Sequence, residues 1–386
     1  MEIKIRKTGM SDNIPFDMQV EIMKRLPVKA LAVFRSVSKA WKSVIDSRLF
    51  VADYTNFHQQ HRLLIRYMID YKFGYYYQYV SIVDNDTLSR HEFQIVIANV
   101  PGSVVQLVGT SQGLLCLFGD YRVDDCIKKT AVIWNPSLGK SIAIDVPVVG
   151  DSDSTVLGFG VRPDNLDPMI VTIDYVEHCY EVMLFVLSSR DWRTPRGRLP
   201  PKSIVFSHGT PVATDRCIYW EACEVSIYLV VAFDMVCETF TEINLPHCVA
   251  HRSSNEDFSI SMIRGSLALL EWYDDVKKQG CDVWMMVDNG ASKSFTKLFT
   301  INIPSLPSLS TEVLGFRKND QPIMQTAGYR HPASLELYEP RTGTIKKTGI
   351  NLEEGSYFLS SYTETLLLLD QVDEQVVTIQ LLNQSS

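Results

Sequence analysis

A spacing of about 50 residues recurs through most of the chain and limits the folds open to it. Aromatic residues end short apolar runs at Trp134, Phe185, Phe233, Trp284 and Tyr338, at separations of 51, 48, 51 and 54 residues. A turn sequence follows each of them, such as Asn-Pro-Ser-Leu-Gly after Trp134. Each repeat unit holds three or four short strand-like runs. Since one hairpin cannot bury its own apolar face, the units must stack against one another to form a core.

Units of this length and strand content are typical of the kelch-like blades of a β-propeller. Trp192 and Phe240 stand seven residues after the second and third aromatics, where a return strand would pack. Five units plus flanking strands predict a closed or nearly closed ring of about six blades. The Gly-Gly pair typical of kelch repeats is absent from the sequence. The predicted fold class is therefore mostly β, a divergent kelch-like β-propeller, with a large β-sandwich as the alternative.

A different pattern precedes this region, where residues 14–46 predict three short helices. Met18, Ile22 and Leu26 recur at helical spacing, and Pro27 ends the first helix and opens the second. The apolar positions of the second and third helices are Val28, Leu31, Phe34, Val37, Trp41, Val44 and Ile45. Helices of about ten residues are too short to be stable alone in water. Some of their apolar surface must therefore face another molecule or the following domain.

The charge is unevenly distributed between the two regions. Residues 1–50 carry ten Lys or Arg and five Asp or Glu, a balance of +5, and the rest of the chain carries 27 and 40, a balance of −13. A basic head on an acidic body indicates an acidic partner for the head. Ten charges on helices are more often a solvated face, so nucleic acid is not expected as that partner.

Compartment follows from what the sequence lacks. The longest apolar runs are strand-sized, well short of the roughly 18 residues that span a bilayer, and no apolar segment follows the basic N-terminus as in a secretory signal. The eight cysteines show no disulfide-framework spacing and are interpreted as reduced core residues. We expect a cytoplasmic or nuclear protein, or both, without membrane association.

The helical region resembles a plant F-box. The resemblance is carried by IPFDMQVEIMKRLPVK (residues 14–29) and ALAVFRSVSKAW (residues 30–41), which depart from the usual pattern at Ala30, Val33 and Ser38. It implies docking onto a Skp-type adaptor, which bridges to a cullin scaffold and a ubiquitin-conjugating enzyme. The docking positions that it implies are Ile14, Pro15, Met18, Ile22, Leu26, Pro27, Val28 and Leu31. Phe34, Val37 and Trp41 would instead hold the helices together. The plainer alternative is a helical cap on the β domain.

The β region resembles the F-box-associated domain of plant F-box proteins through four short phrases: Gly113-Leu-Leu-Cys, Val132-Ile-Trp-Asn-Pro, Leu157-Gly-Phe-Gly and Leu335-Glu-Leu-Tyr. The resemblance implies a domain that recognises a protein target, which it does not identify. The predicted organisation is a disordered lead (1–9), a helical F-box (10–50), a linker (51–62) and a target-binding propeller (63–386). Longer polar loops are the candidate target-binding segments: residues 120–129, 147–155, 247–257 and 274–280.

Catalytic, cofactor and metal motifs are incomplete. Gly158-Phe-Gly160 lacks the third glycine of a dinucleotide fingerprint, and Asp84-Asn-Asp lacks the glycine and glutamate of a calcium loop. No Cys-x-x-Cys occurs, and no nucleophile elbow of a serine hydrolase is expected. No catalytic, cofactor or metal residue is therefore predicted. The predicted function is a non-catalytic substrate receptor of a Skp–cullin–F-box ubiquitin ligase. The alternatives are an F-box-type binding module outside a ligase and a β-propeller enzyme.

Overall fold

A computed structural model describes residues 14–57, 62–71, 74–85, 88, 90–97, 106–123, 126–147, 155–200, 203–207, 209–251, 258–275, 278–290, 292–303, 309–328, 331–352, 358–368 and 379–380. Four helices open this part of the chain: α1 (Phe16–Met23), α2 (Val28–Phe34), α3 (Lys39–Ile45) and α4 (Arg48–Phe57). The predicted lead at residues 1–9 lies outside the described residues. The predicted linker is helical as far as Phe57, and its Val51 and Tyr54 are buried among the helices. The helical domain therefore continues past residue 50.

The remaining elements form six antiparallel sheets, which we number as blades. Blade 1 contains β1 (Arg62–Tyr71), β2 (Gly74–Val83) and β3 (Arg90–Ile97), and blade 2 contains β4 (Gln106–Ser111), β5 (Leu114–Val123), β6 (Cys126–Asn135) and β7 (Lys140–Val146). Blade 3 contains β8 (Thr155–Val161), β9 (Pro168–Val176), β10 (Cys179–Val186) and β11 (Asp191–Arg193). Blade 4 contains β12 (Ile204–Phe206), β13 (Val212–Ala213), β14 (Cys217–Glu224), β15 (Ile227–Asp234) and β16 (Thr239–Asn244), and α5 (His247–Ala250) follows it.

Two further sheets and a returning segment complete the ring. Blade 5 contains β17 (Phe258–Ile263), β18 (Ser266–Asp275), β19 (Lys278–Asp288) and β20 (Lys293–Ile303). Blade 6 contains β21 (Leu309–Phe316), β22 (Pro322–Gly328), β23 (His331–Glu339) and β24 (Thr344–Leu352). The last strands, β25 (Phe358–Tyr362) and β26 (Ile379–Gln380), pair with β1 and β3 and so belong to blade 1.

Blade 1 is therefore built from both ends of the described chain, which closes the ring. β25 runs antiparallel to β1, with Tyr362 opposite Arg62. Around the axis, β4 contacts β8, β8 contacts β13, and the contacts continue through β17 and β21 to β25. The hydroxyls of Thr110 in β4 and Ser360 in β25 lie 2.6 Å apart and complete the circle. The predicted propeller of about six blades is confirmed, and the β-sandwich alternative is wrong.

The recurring aromatics explain how the blades stack. Trp134, Phe185, Phe233, Trp284 and Tyr338 lie in the third strands of blades 2 to 6. Six apolar clusters fill the six spaces between neighbouring blades. On the return strands, Trp192 stands opposite Phe185 and Phe240 opposite Phe233, with ring centroids 5.4 and 4.8 Å apart. The 50-residue period of the sequence therefore corresponds to one blade, with one of these aromatic residues in its third strand.

Glycines in β8 make room for a neighbouring blade. The indole of Trp220 in blade 4 lies directly over Gly158, and its Nε1–H donates to the carbonyl of Leu157 at 2.9 Å. The Sδ of Met235 occupies the corresponding space beside Gly160. A side chain at either position would collide with blade 4, so the Gly-Phe-Gly sequence serves blade packing.

The ring has two faces, which the strand directions define. Because neighbouring strands are antiparallel, turns between first and second and between third and fourth strands lie on one face. Leu138 and Leu166 lie in such turns of blades 2 and 3 and pack against the helical domain. We call this the proximal face. The second-to-third-strand turns and the connections between blades lie on the other, the distal face.

The described ends of all four candidate segments lie on the distal face, and two of the segments are hairpins rather than loops. Pairing continues to Val123 opposite Cys126 and to Asp275 opposite Lys278, so these segments are long hairpins. Their polar residues lie on strand ends, which a polar sequence does not distinguish from a loop. In segment 247–257, α5 covers residues 247–250, and residues 252–257 lie outside the described residues. Residues 148–154 of segment 147–155 also lie outside them.

Candidate functional site

Two prolines set the geometry of the first two helices. Pro15 and Pro27 stand at the N-cap positions of α1 and α2, with φ of −53° and −60°. Their carbonyls accept from the N–H groups of Gln19 and Leu31 at 3.1 and 3.2 Å. Proline tolerates this position because the N–H that it lacks has no partner there. The rigid turn at Pro27 therefore fixes the angle between the helices.

Exposed apolar side chains are concentrated in α1 and just before it. Ile14, Phe16, Met18 and Ile22 are 40%, 44%, 56% and 45% exposed. We call these four residues the N-terminal apolar face. Pro15 and Pro27 are also exposed, whereas Leu26 is partly buried. Four large apolar side chains at the surface of one short segment leave a surface that a partner protein can cover.

Three residues lie elsewhere than the sequence indicated. Val28 and Leu31 were expected on the docking surface, but they are 1% and 0% exposed and form the core of the helical domain with Met23 and Ile45. Val37 was expected to hold the helices together, but it is 63% exposed beyond the end of α2. Helical spacing shows which residues share a stripe, and it does not show which stripe the following helices cover.

Phe34 and Trp41 do join the helices. Their ring centroids are 5.4 Å apart. The Nε1–H of Trp41 donates to Oε1 of Gln19 at 2.8 Å, which ties α3 to α1. Arg35 and Asp46 form a partly buried ion pair at 2.6 Å between the ends of α2 and α3. Sequence reasoning missed Gln19 and this ion pair, because the partners lie 22 and 11 residues apart in the chain.

The helical domain and the propeller share one apolar cluster. Leu366, which follows the closing strand β25, is buried among Met23, Leu31 and Tyr54. Tyr54 is fully buried, and its hydroxyl donates to the carbonyl of Leu26 at 2.8 Å; burial raises its pKa. Since both domains contribute to the same core, the helices are held in one orientation on the proximal face.

The turn that precedes Leu366 is held by the propeller. Asn135, fully buried at the end of β6, donates from Nδ2 to the carbonyls of Thr365 and Leu367 at 2.9 and 2.7 Å. Gly113 has φ of +76°, and a Cβ there would collide with the carbonyl of Thr363. The Trp-Asn-Pro and Gly-Leu-Leu-Cys phrases therefore act together, because both fasten the segment that carries Leu366.

Asp84, the first residue of the Asp-Asn-Asp sequence that resembles part of a calcium loop, has a structural role. Asp84 is 5% exposed, and its carboxylate accepts from Nε of Arg317 at 2.5 Å and from the N–H of Lys318 at 2.9 Å. The pair joins proximal turns of blades 1 and 6. In the described part of the chain, no three His, Cys, Asp or Glu side chains are grouped closely enough to hold a metal ion. No helix of that part has the length and apolar content to cross a membrane.

Comparisons with known protein families give two matches. Residues 77–367 match the F-box associated beta propeller domain, and residues 11–52 match the F-box domain. The second match covers α1 to α3 and the start of α4. The first covers most of the propeller and ends at Leu367, in the segment shared by both domains.

Individual relatives and solved structures add more distant likenesses. An F-box/kelch-repeat protein of Arabidopsis thaliana is 24% identical over 338 residues, which are 78% of this chain and 83% of the relative. An F-box protein of the same plant is 24% identical over 349 residues, 88% of this chain and 83% of the relative. Among solved structures, a prolyl endopeptidase is similar at a TM-score of 0.41 and 13% identity over 77% of this chain. The matched region spans only 42% of that enzyme.

Proposed function

This chain belongs to the plant F-box proteins that carry an F-box-associated β-propeller domain, and we propose that it is the substrate-recognition subunit of a Skp–cullin–F-box ubiquitin ligase. In this role the helices dock onto a Skp-type adaptor, and through it onto a cullin. The propeller binds a target protein for ubiquitination.

The observation that carries the proposal is the N-terminal apolar face. Met18 and Ile22 are about half exposed, and together with Ile14 and Phe16 they place four exposed apolar side chains within nine residues of the helical domain. An apolar surface of this kind favours a permanent partner. Exposed Lys29, Lys39 and Lys42 on the same small domain favour an acidic one.

The shared core around Leu366 supports a positioning role. A ligase receptor accelerates ubiquitin transfer by raising the effective concentration of the target's lysine at the conjugating enzyme. That gain depends on a restricted geometry between docking and target-binding surfaces. With strands of eight to ten residues in β5, β9 and β15, the propeller holds the two faces about 30 Å apart. The two domains fit a non-catalytic adaptor, and the chemistry would belong to the conjugating enzyme.

We place the protein in the cytoplasm, the nucleus or both, where such a ligase would act. No disulfide joins the cysteines that the structure describes, which are Cys116, Cys179, Cys217, Cys223, Cys237, Cys248 and Cys281.

The test is reconstitution. The full-length chain is co-expressed with a plant Skp-type adaptor and a cullin, and complex formation is followed by size-exclusion chromatography with light scattering. Ubiquitin transfer to lysines of the chain or of bound proteins is then measured with the conjugating enzyme added. We expect a stoichiometric complex that transfers ubiquitin. Failure of the wild-type chain to bind the adaptor would reject the proposal, and adaptor binding without any transfer would favour a binding module outside a ligase.

A further inference from the structure

Exposed apolar side chains in the propeller are concentrated at one place. In its described part, the large apolar residues that are exposed are Tyr175 (50%), Val205 (66%), Val225 (83%) and Ile227 (45%). All four lie at the distal ends of blades 3 and 4. We call them the distal hairpin patch. The proximal face is where the helical domain packs, so the patch lies on the side of the ring that remains open to a target.

The patch is continuous across the two blades. The rings of Tyr175 and Tyr180 have centroids 5.0 Å apart, and the Tyr180 hydroxyl donates to the carbonyl of Ile204 at 2.6 Å. Ile204 stands opposite Glu224, and Glu224 stands opposite Ile227. Tyr175 and Ile227 stand two residues from Ile173 and Leu229, which belong to the apolar cluster between blades 3 and 4, so both side chains border the space between these blades. Val205 follows the buried Ile204 and therefore points to the opposite face of β12, and Val225 stands at the tip of the turn after Glu224.

The most exposed member of the patch stands in a conformation that its side chain disfavours. Val225 and Ser226 form a two-residue hairpin turn between Glu224 and Ile227, with φ of +46° and +74°. Turns of this type favour Asn-Gly, and a β-branched residue in the left-handed region is an outlier. The Val225 side chain is 83% exposed, so packing within the chain does not offset the strain. Strained, exposed residues of this kind are concentrated at binding sites.

The two hairpins that carry the patch are strongly acidic. Segments 174–181 and 221–228 contain five carboxylates and neither Lys nor Arg. Glu177 and Glu181 are exposed and Glu224 is partly buried, whereas Asp174 is fully buried and Glu221 accepts hydrogen bonds within the chain. The chain beyond residue 50 is also acidic, with a balance of −13. A partner that covers the apolar patch must therefore enter a negative potential, which favours positive charge on that partner.

From these observations we infer that the distal hairpin patch binds a segment of the target protein that combines aliphatic or aromatic side chains with Lys or Arg. The inference rests on the proposed function of the chain as a substrate receptor and names the chemical class of its target site. Apolar side chains of the target cover Val225 and Ile227, and its cationic groups pair with Glu177 and Glu224 at the rim.

The experiment uses random peptides, so the target protein need not be identified first. A phage library of random 12-residue peptides is selected on the full-length chain, and in parallel on Val225→Asn and on Glu177→Lys/Glu224→Lys. Lys347→Asn, at an exposed position of β24 in blade 6, is the matched control. The affinity of the most enriched peptides is measured by fluorescence anisotropy, and the melting temperature of each variant by calorimetry.

We expect the wild type and the control to enrich peptides that carry apolar residues with Lys or Arg. Val225→Asn should weaken their binding by about tenfold or more, the effect of losing a central contact. The same change should raise the melting temperature by about 1–2 °C, because asparagine tolerates the left-handed turn. The double charge reversal should shift enrichment to acidic peptides. A turn with only a structural role would show the thermal effect without the loss of affinity.

Several outcomes would overturn the inference: no enriched peptide, enriched peptides that are neutral or acidic, or equal binding to Val225→Asn. Self-association of the chain that Val225→Asn abolishes, detected by light scattering, would assign the patch to a second copy instead. Adaptor binding and ubiquitin transfer are measured on the same preparations. Intact adaptor binding without patch-dependent peptides would reject this inference alone, whereas absent adaptor binding would reject the proposed function whatever the peptides show.

Discussion

Replacing Met18 and Ile22 together by aspartate should abolish adaptor binding while leaving the fold intact. Full burial of such a side chain contributes about 1.5–3 kcal/mol. Met18 is 56% and Ile22 45% exposed, so a partner can still bury about half of each. The loss is then about 1.5–3 kcal/mol for the pair. Two carboxylates placed in an apolar interface add at least about 1–3 kcal/mol. Together these terms predict a dissociation constant raised by about 100-fold or more.

The assay is isothermal titration calorimetry of the purified chain with a Skp-type adaptor, combined with thermal unfolding of each variant. Both replaced side chains are at the surface, so the free energy of unfolding should change by no more than about 0.5 kcal/mol. Leu49→Asp is the matched control, because Leu49 is an apolar residue that is 81% exposed on α4, outside the N-terminal apolar face. An affinity for the double variant within threefold of wild type, about 0.65 kcal/mol, would show that docking does not use this face.

Three further changes test the packing that supports the two faces. Glu238→Gln should destabilise the fold by about 1–2 kcal/mol at neutral pH, less than for a fully buried pair because Arg193 is 43% exposed. The hydrogen bond from Arg193 lowers the pKa of Glu238 below 4.5, so the difference from wild type in urea unfolding should disappear as pH falls below that value, and a deficit independent of pH would contradict this. Gly158→Ala should cost about 1–3 kcal/mol, because its Cβ would collide with Trp220, and unchanged thermal unfolding would disprove the packing role. Tyr54→Phe removes a buried hydrogen bond worth about 1–3 kcal/mol, and amide exchange in α2 and α4 should accelerate, whereas equal protection would show that the hydroxyl is dispensable.

The repeat predicted the propeller because each blade must solve the same packing problem. The third strand of each of blades 2 to 6 carries an aromatic residue. These residues recur at the length of one blade, and this regularity is visible in the single sequence. The strand pairing that closes the ring was harder to predict from the sequence. The pairing of β25 with β1 joins Tyr362 to Arg62, residues 300 positions apart, and neither strand carries a local signal for the other. Strand runs at both ends indicated that a ring closes, and they did not indicate which strand completes blade 1.

In the helical domain, the spacing of apolar residues did not predict which of them are buried. Met18 and Ile22 were expected at the surface and lie there, but Val28 and Leu31 satisfied the same spacing and are buried. The difference arises from α4, whose Phe50 and Tyr54 pack in the same cluster as Val28 and Leu31. The sequence analysis had assigned its residues from Val51 onward to a polar linker. Phe50, Val51 and Tyr54 of α4 join Leu366 in the core of the helical domain. The sequence therefore identified the apolar residues of the site. Which of them are buried and which are exposed depends on tertiary packing, which the sequence pattern does not show.

Leu366 links the closure of the propeller to the orientation of the helical domain. It follows the strand that closes the ring, and it ends in the core of the domain that would bind the adaptor. Ring closure and helix orientation are therefore coupled, since opening blade 1 would withdraw Leu366 from beneath α2 and α4. In the proposed role, the chain would present its target at a fixed orientation only while the propeller is intact. An unfolded propeller would release the helices from that orientation, so the effective concentration on which transfer depends would fall together with target binding.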